Sequence, residues 1–240
     1  MDEFEKLRRT ANWWYYSRRF AVFYYGRNSY NGSNHLTGSE RDGIMRVVKD
    51  RVFERSAALM DEILLVEPQM SYAEDLWAFR QEIMVYDDGN EDQFAGCKSL
   101  DISHSAEEWI RICELRKNEE TYREAGVAVP SHTYLAVRKS DNRIVGVIDL
   151  RHHINHPILS TWGGHCGYSV RPSERGKGYA KEMLRLNLQN AKKMGIDKLL
   201  VPCDEKNIAS EKTILANGGV YENTIDVDGS KTKRYWIKVD

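Results

Sequence analysis

"RPSERGKGYAKEML", residues 171–184, sets Gly176 and Gly178 among Arg175, Lys177 and Lys181, then runs straight into a helical apolar pattern. Just before it, "GGHCGYSV" (163–170) reads as a strand. A strand, a glycine loop and a helix start make an anion site, because unpaired amide N–H groups and the positive end of the helix dipole point at whatever lies there. Neither common phosphate loop fits. A Walker loop needs Ser or Thr after Lys177, and a dinucleotide fingerprint needs a third glycine where Lys181 stands.

Outward from the loop, the pattern is an alternation of helices and strands. Residues 178–194 carry Ala180, Met183, Leu184, Leu188 and Ala191 on one face, with Gly195 as the helix stop. "DKLLVPC" (197–203) is a strand, residues 207–217 a short helix closed by Gly218, and "GVYENTIDV" with "TKRYWIKV" a hairpin turning on Asp228 and Gly229. Upstream, "ILLVEP" from Ile63 is a short buried strand. Tyr72 to Val85 has helical spacing, and so does Ala106 to Tyr122 behind Ser103 and Ser105 as caps. "TYLAVRK" and "RIVGVIDLRH" are strands joined by "SDN". The order predicts a mixed α/β fold whose sheet is mostly antiparallel rather than doubly wound.

Arg175-Gly176-Lys177-Gly178-Tyr179-Ala180 fits the pattern Arg-x-x-Gly-x-Ala and resembles the pyrophosphate-binding motif of the GNAT superfamily of N-acetyltransferases. "GHCGYSVRP" upstream is similar to that family's preceding strand, and "NIASEKTILANGGVYEN" downstream to its Asn-x-x-Ser helix. The resemblance spans about 63–240 and is specific within 163–222. It implies a splayed central sheet flanked by helices. It also implies acetyl-CoA as cosubstrate, with the pyrophosphate on the amides of residues 175–180 and the pantetheine arm along Tyr168, Ser169 and Val170. Asn207 and Ser210 are then cofactor-facing, although Asn207 reads equally well as a plain helix N-cap.

The reaction so implied is direct attack of an amine on the thioester in a ternary complex. It needs an oxyanion donor, a base for the ammonium and a proton for the leaving thiolate. Backbone N–H groups around Tyr168 to Val170 suit the first. His165, whose ordinary pKa lies near neutrality, is the leading base, with Asp149 and Glu174 behind it; the competing reading is a histidine hydrogen-bonded to orient the loop after Arg151. Many family members carry a tyrosine acid seven residues after the helix asparagine, but Ile214 stands there. That leaves water, Tyr168 or Tyr221 to supply the proton. His152, His153, His156 and Cys166 form no metal set, since Asn155 and Pro157 break the helix that His-x3-His spacing needs. The loop 151–163 is instead expected to wall the acceptor site.

Residues 1–62 lie outside the resemblance. Ten of the 25 aromatics fall in residues 1–30, and residues 1–60 carry eleven Lys and Arg against seven Asp and Glu, while the remainder carries 24 against 29. A turn-rich stretch, 26–39, separates these aromatics from a helix predicted from Ser39 to about Asp61. Trp13 to Tyr25 with Arg18 and Arg19 could stack on single-stranded nucleic acid, but docking on the transferase domain or in a homodimer is the favoured expectation. The four scattered cysteines show no CxxC spacing and no apolar run reaches signal-peptide length, so a cytoplasmic chain is expected. Two functions compete: an acetyl-CoA-dependent N-acetyltransferase of unknown amine acceptor, and a catalytically silent acyl-CoA-binding module that engages a partner protein or nucleic acid through its N-terminal extension.

Overall fold

The computed structural model describes residues 61–87 and 94–240, so the predicted N-terminal helix and the aromatic segment lie outside the described residues. Strand β1 (Ile63–Val66) is followed by helices α1 (Ala73–Tyr86) and α2 (Ala106–Lys117), then strands β2 (Ser131–Arg138), β3 (Ile144–Arg151) and β4 (Tyr168–Val170). Helix α3 (Tyr179–Lys193), β5 (Lys198–Asp204), α4 (Ile208–Ala216), β6 (Val220–Val227) and β7 (Ser230–Lys238) complete the order. One sheet runs β1-β2-β3-β4 and the other β5-β7-β6, every pair antiparallel. Among the described residues no helix is long and apolar enough to cross a membrane.

β3 explains the layering. Its run IVGVIDL is buried on both faces, which is why it reads as continuous apolar sequence rather than an alternation. On one side Leu76, Phe79 and Ile83 of α1 pack with Trp109 and Ile110 of α2. On the other, Met183, Leu184 and Ala191 of α3 pack against Val145 and Ile148, and the same core continues into Leu199, Val201, Tyr235 and Ile237 of the second sheet. Gly146 makes the α3 approach possible: a Cβ there would sit 2.6 Å from Met183 Sδ and 2.7 Å from Ser169 O.

Two elements are shorter than the sequence suggests. The helix predicted over 106–122 stops at Lys117, because Asn118 turns extended and Thr121 Oγ1 donates to Leu115 O, a carbonyl that a continuing helix would need. Ser105 caps its start by accepting from Glu108 N–H, whereas Ser103 Oγ donates to Ser99 O. The strand predicted over 163–170 is regular only from Tyr168. Before it, residues 159–163 form a π-helical turn and Gly164 takes φ +66°, where a Cβ would lie 2.3 Å from Pro202 Cδ. The final hairpin turns on Asp228 and Gly229, both at positive φ (51° and 81°), as expected of an Asp-Gly turn.

Candidate functional site

A reciprocal pair of hydrogen bonds joins the segment before β4 to β5. His165 N–H donates to Leu200 O at 2.8 Å, and Leu200 N–H donates to His165 Nδ1 at 2.9 Å. Beyond that clasp, β4 and β5 belong to different ladders. Arg171 N–H to Val145 O and Asp149 N–H to Gly167 O set the alternation of the β3–β4 ladder, so Ser169, opposite Val147, spends its backbone groups on β3. Tyr168 and Val170 then turn their N–H groups away from β3, into the opening between the sheets. Ser169 Oγ is also directed elsewhere, donating to Ala95 O at 2.8 Å.

At the far end of β4 the chain passes through a short 3-10 turn (Pro172–Glu174) into the glycine loop. Gly176 and Gly178 sit at φ +78° and +94°, conformations that L side chains resist. Gly178 is the N-cap of α3 and offers no side chain to its first turn. The amide N–H groups of Gly176, Lys177, Gly178, Tyr179 and Ala180 have no partner among the described residues. Five donors at the positive end of a fifteen-residue helix form a cradle for a phosphate-sized anion.

The loop's cations are committed elsewhere. Arg175 grips the Asp87 carboxylate with Nη1 and Nη2 at 2.8 and 2.5 Å, and its Nε donates to Val170 O. Lys177 Nζ lies 2.8 Å from Glu174 Oε2, which also takes Arg138 Nη1 at 2.9 Å. Burial alone would raise the Glu174 carboxyl, but the Lys177 bond and the Arg138 charge outweigh it and hold the group below the usual carboxylate range. This carboxylate anchors the loop from beneath.

Across the opening, Asn207 caps α4 by accepting the Ser210 N–H at 3.0 Å. The Ser210 hydroxyl lies 2.8 Å from the Tyr168 hydroxyl. Burial pushes the Tyr168 phenol well up, with the Ser210 bond opposing only in part, so it stays protonated at neutral pH. Ile214, in the family's tyrosine position, is fully buried and packs on Gly219, where a Cβ would sit 2.4 Å from Ile214 Cγ2. Tyr221 is exposed and bonds Thr224.

His165 is 6 % exposed. With Nδ1 accepting from Leu200, the neutral ring carries its proton on Nε2 and has no second lone pair to offer. Burial, with Arg151 nearby, holds its pKa down at about 4. Asp149 accepts the Gly167 N–H at 2.5 Å and pairs with Arg151 at 3.0 Å. Arg151 Nη1 ties down Gly163 O and Gly164 O, and Arg234 donates to Ser160 O and Thr161 O, so the 159–163 turn is held from two sides. His152 Nε2 lies 2.9 Å from His132 Nδ1. Among the described residues no group of three His, Cys, Asp or Glu side chains is arranged to hold a metal ion.

Asp87 carries no motif signal. Tyr168, Ser210 and Glu174 are each singled out by the sequence, but neither the Tyr168–Ser210 pairing nor the anchoring role of Glu174 is.

A family model described as an acetyltransferase (GNAT) domain matches residues 63–220. Among solved structures, the microcin C7 self-immunity acetyltransferase MccE in complex with acetyl-CoA and AMP matches with TM-score 0.52 and 18 % identity, over 75 % of this chain and 94 % of its own. RimL, a ribosomal L7/L12 alpha-N-protein acetyltransferase in complex with coenzyme A, matches with TM-score 0.52 and 17 % identity, over 76 % and 97 %. No curated protein matches the chain.

Proposed function

The chain belongs to the GNAT acetyltransferase family, and from that premise we propose that it is an acetyl-CoA-dependent N-acetyltransferase that binds the cosubstrate pyrophosphate on the amides of Gly176 to Ala180. The observation that carries this reading is the set of five unpartnered N–H groups at the start of α3, continuous with the strand β4 whose outward N–H groups face the opening between the sheets. MccE and RimL are both described in complex with CoA compounds, which supports the same use of the same fold here.

In this reading the pantetheine arm pairs with β4 at Val170, and the thioester carbonyl lies near the Tyr168 N–H, which stabilises the oxyanion as a primary amine attacks. Collapse of the tetrahedral intermediate expels CoA thiolate. The Tyr168 and Ser210 hydroxyls, 2.8 Å apart, supply its proton, which answers the loss of the family's tyrosine at Ile214. The silent-module alternative draws on Ile214 in the tyrosine's place, and the hydroxyl pair is this reading's answer to it. His165 serves as the clasp between the sheets. Of the two carboxylates, Asp149 accepts the Gly167 N–H and pairs with Arg151, and Glu174 is occupied under the loop, so in this reading the ammonium proton leaves through water. The acceptor is a primary amine, approaching beside the 151–163 loop.

The test is acetyl-CoA turnover followed as free thiol release with a panel of amines, alongside CoA binding by calorimetry. Gly178→Glu should abolish CoA binding, because it forces a side chain into a φ of +94° and sets a negative charge where the pyrophosphate lies. A folded Gly178→Glu variant with unchanged CoA affinity would overturn the site.

A further inference from the structure

Arg175 opens the glycine-loop motif, and its side chain is turned to the side and fully engaged. The reason lies on α1. Asp75 Oδ1 and its carbonyl accept Arg171 Nη2 at 2.7 and 2.9 Å. Two turns later Glu82 accepts the Ser173 N–H at 2.6 Å and lies 3.8 Å from Arg171 Nε. Asp87, the C-cap of α1, takes the Arg175 fork. Three carboxylates along one helix thus grip residues 171, 173 and 175 in turn. Arg171 is 2 % exposed, so the first grip is buried, whereas the Asp87–Arg175 grip is partly open to solvent.

We propose that Asp87 is a positioning residue for cosubstrate binding: it fixes the Arg175 guanidinium, which in turn holds the Val170 carbonyl and the entry to the glycine loop, so that the amides rather than the Arg175 side chain meet the pyrophosphate. The proposal rests on the CoA reading above and makes a prediction opposite to simple electrostatics. Removing a negative charge near a polyanion should tighten binding if Arg175 and Asp87 merely set the local field. If Asp87 braces the loop, removing it weakens binding. Lysine at 175 would keep the charge but not the planar fork that reaches both the carboxylate and Val170 O.

The experiment measures CoA binding by calorimetry and acetyl-CoA steady-state kinetics on the full chain. It compares wild type, Asp87→Asn, Arg175→Lys, Arg175→Ala and the Asp87→Asn/Arg175→Ala double variant, each checked for folding by circular dichroism. The expected result is that each single variant loses about five- to tenfold in CoA affinity, seen in KM rather than kcat. Arg175→Lys should be as impaired as Arg175→Ala, and the double variant no worse than either single. Tighter or unchanged binding in Asp87→Asn, or wild-type affinity in Arg175→Lys, overturns the proposal while leaving CoA binding by the wild type intact. Absence of CoA binding by the wild type overturns the CoA reading and this proposal together.

Discussion

His165 shows how one hydrogen bond bears on two chemical roles. The Leu200 N–H can only donate, so the Nδ1 it meets must be unprotonated, and the remaining proton sits on Nε2. Protonating the ring would break the clasp, which is consistent with burial holding its pKa at about 4 against an ordinary 6.5. Between those values the unfolded chain binds a proton that the folded chain refuses. Stability is therefore complete above pH 6.5, falls as the pH drops through the window from 6.5 to about 4, and levels off below it. His165→Asn, whose Oδ1 can accept the same N–H, should keep turnover at neutral pH and lose that acid-side slope in urea titrations at pH 5 and 7. His165→Ala should cost about 1–3 kcal/mol by leaving the buried Leu200 N–H without a partner. A hundredfold fall in kcat for a folded His165→Asn would instead restore the base role.

At the scale of elements, the contact that sets the site is α3 against β3. Gly146 lets the helix approach, and the helix start carries the anion cradle, so the glycine positions the loop from a distance. Gly146→Ala should destabilise the fold by about 1–3 kcal/mol through overpacking. Because one of the atoms it meets is the Ser169 carbonyl of β4, it should also weaken CoA binding. A stability loss with CoA affinity untouched would show that α3 and β4 adjust independently. Elements of this kind were legible in the sequence where local chemistry fixes them: the glycine loop, the α3 stripe ending at Gly195, the Asp-Gly hairpin. What was not legible depends on partners far away in the chain. The end of α2 is set by Thr121 folding back on Leu115, and the late start of β4 by Gly164 closing on Pro202. The engagement of Arg175 was not legible because nothing local announces Asp87, 88 residues earlier. The Tyr168–Ser210 pair spans 42 residues for the same reason.

At the scale of the molecule, two sheets with separate ladders share one apolar core, from Ile63 and Val145 through α3 to Val201 and Ile237. The opening between them is thus held by packing beneath it and by the His165 clasp at one end. The family model begins at residue 63. With its apolar core drawn from residues 63–239, the chain 61–240 should fold and bind CoA within about twofold of the full chain's affinity, a difference under 0.5 kcal/mol. The ten aromatics of residues 1–30 argue for a different role. Burying such side chains contributes a few kcal/mol at about 25 cal/mol per Å². Deleting residues 1–60 should then lower solubility or change the oligomeric state in light scattering. A role in nucleic-acid binding makes the contrary forecast: a soluble, monomeric truncated chain that has lost salt-sensitive binding of single-stranded RNA. A salt titration with a single-stranded RNA probe on both chains separates the two, and a well-behaved truncated monomer would count against docking of the aromatic segment.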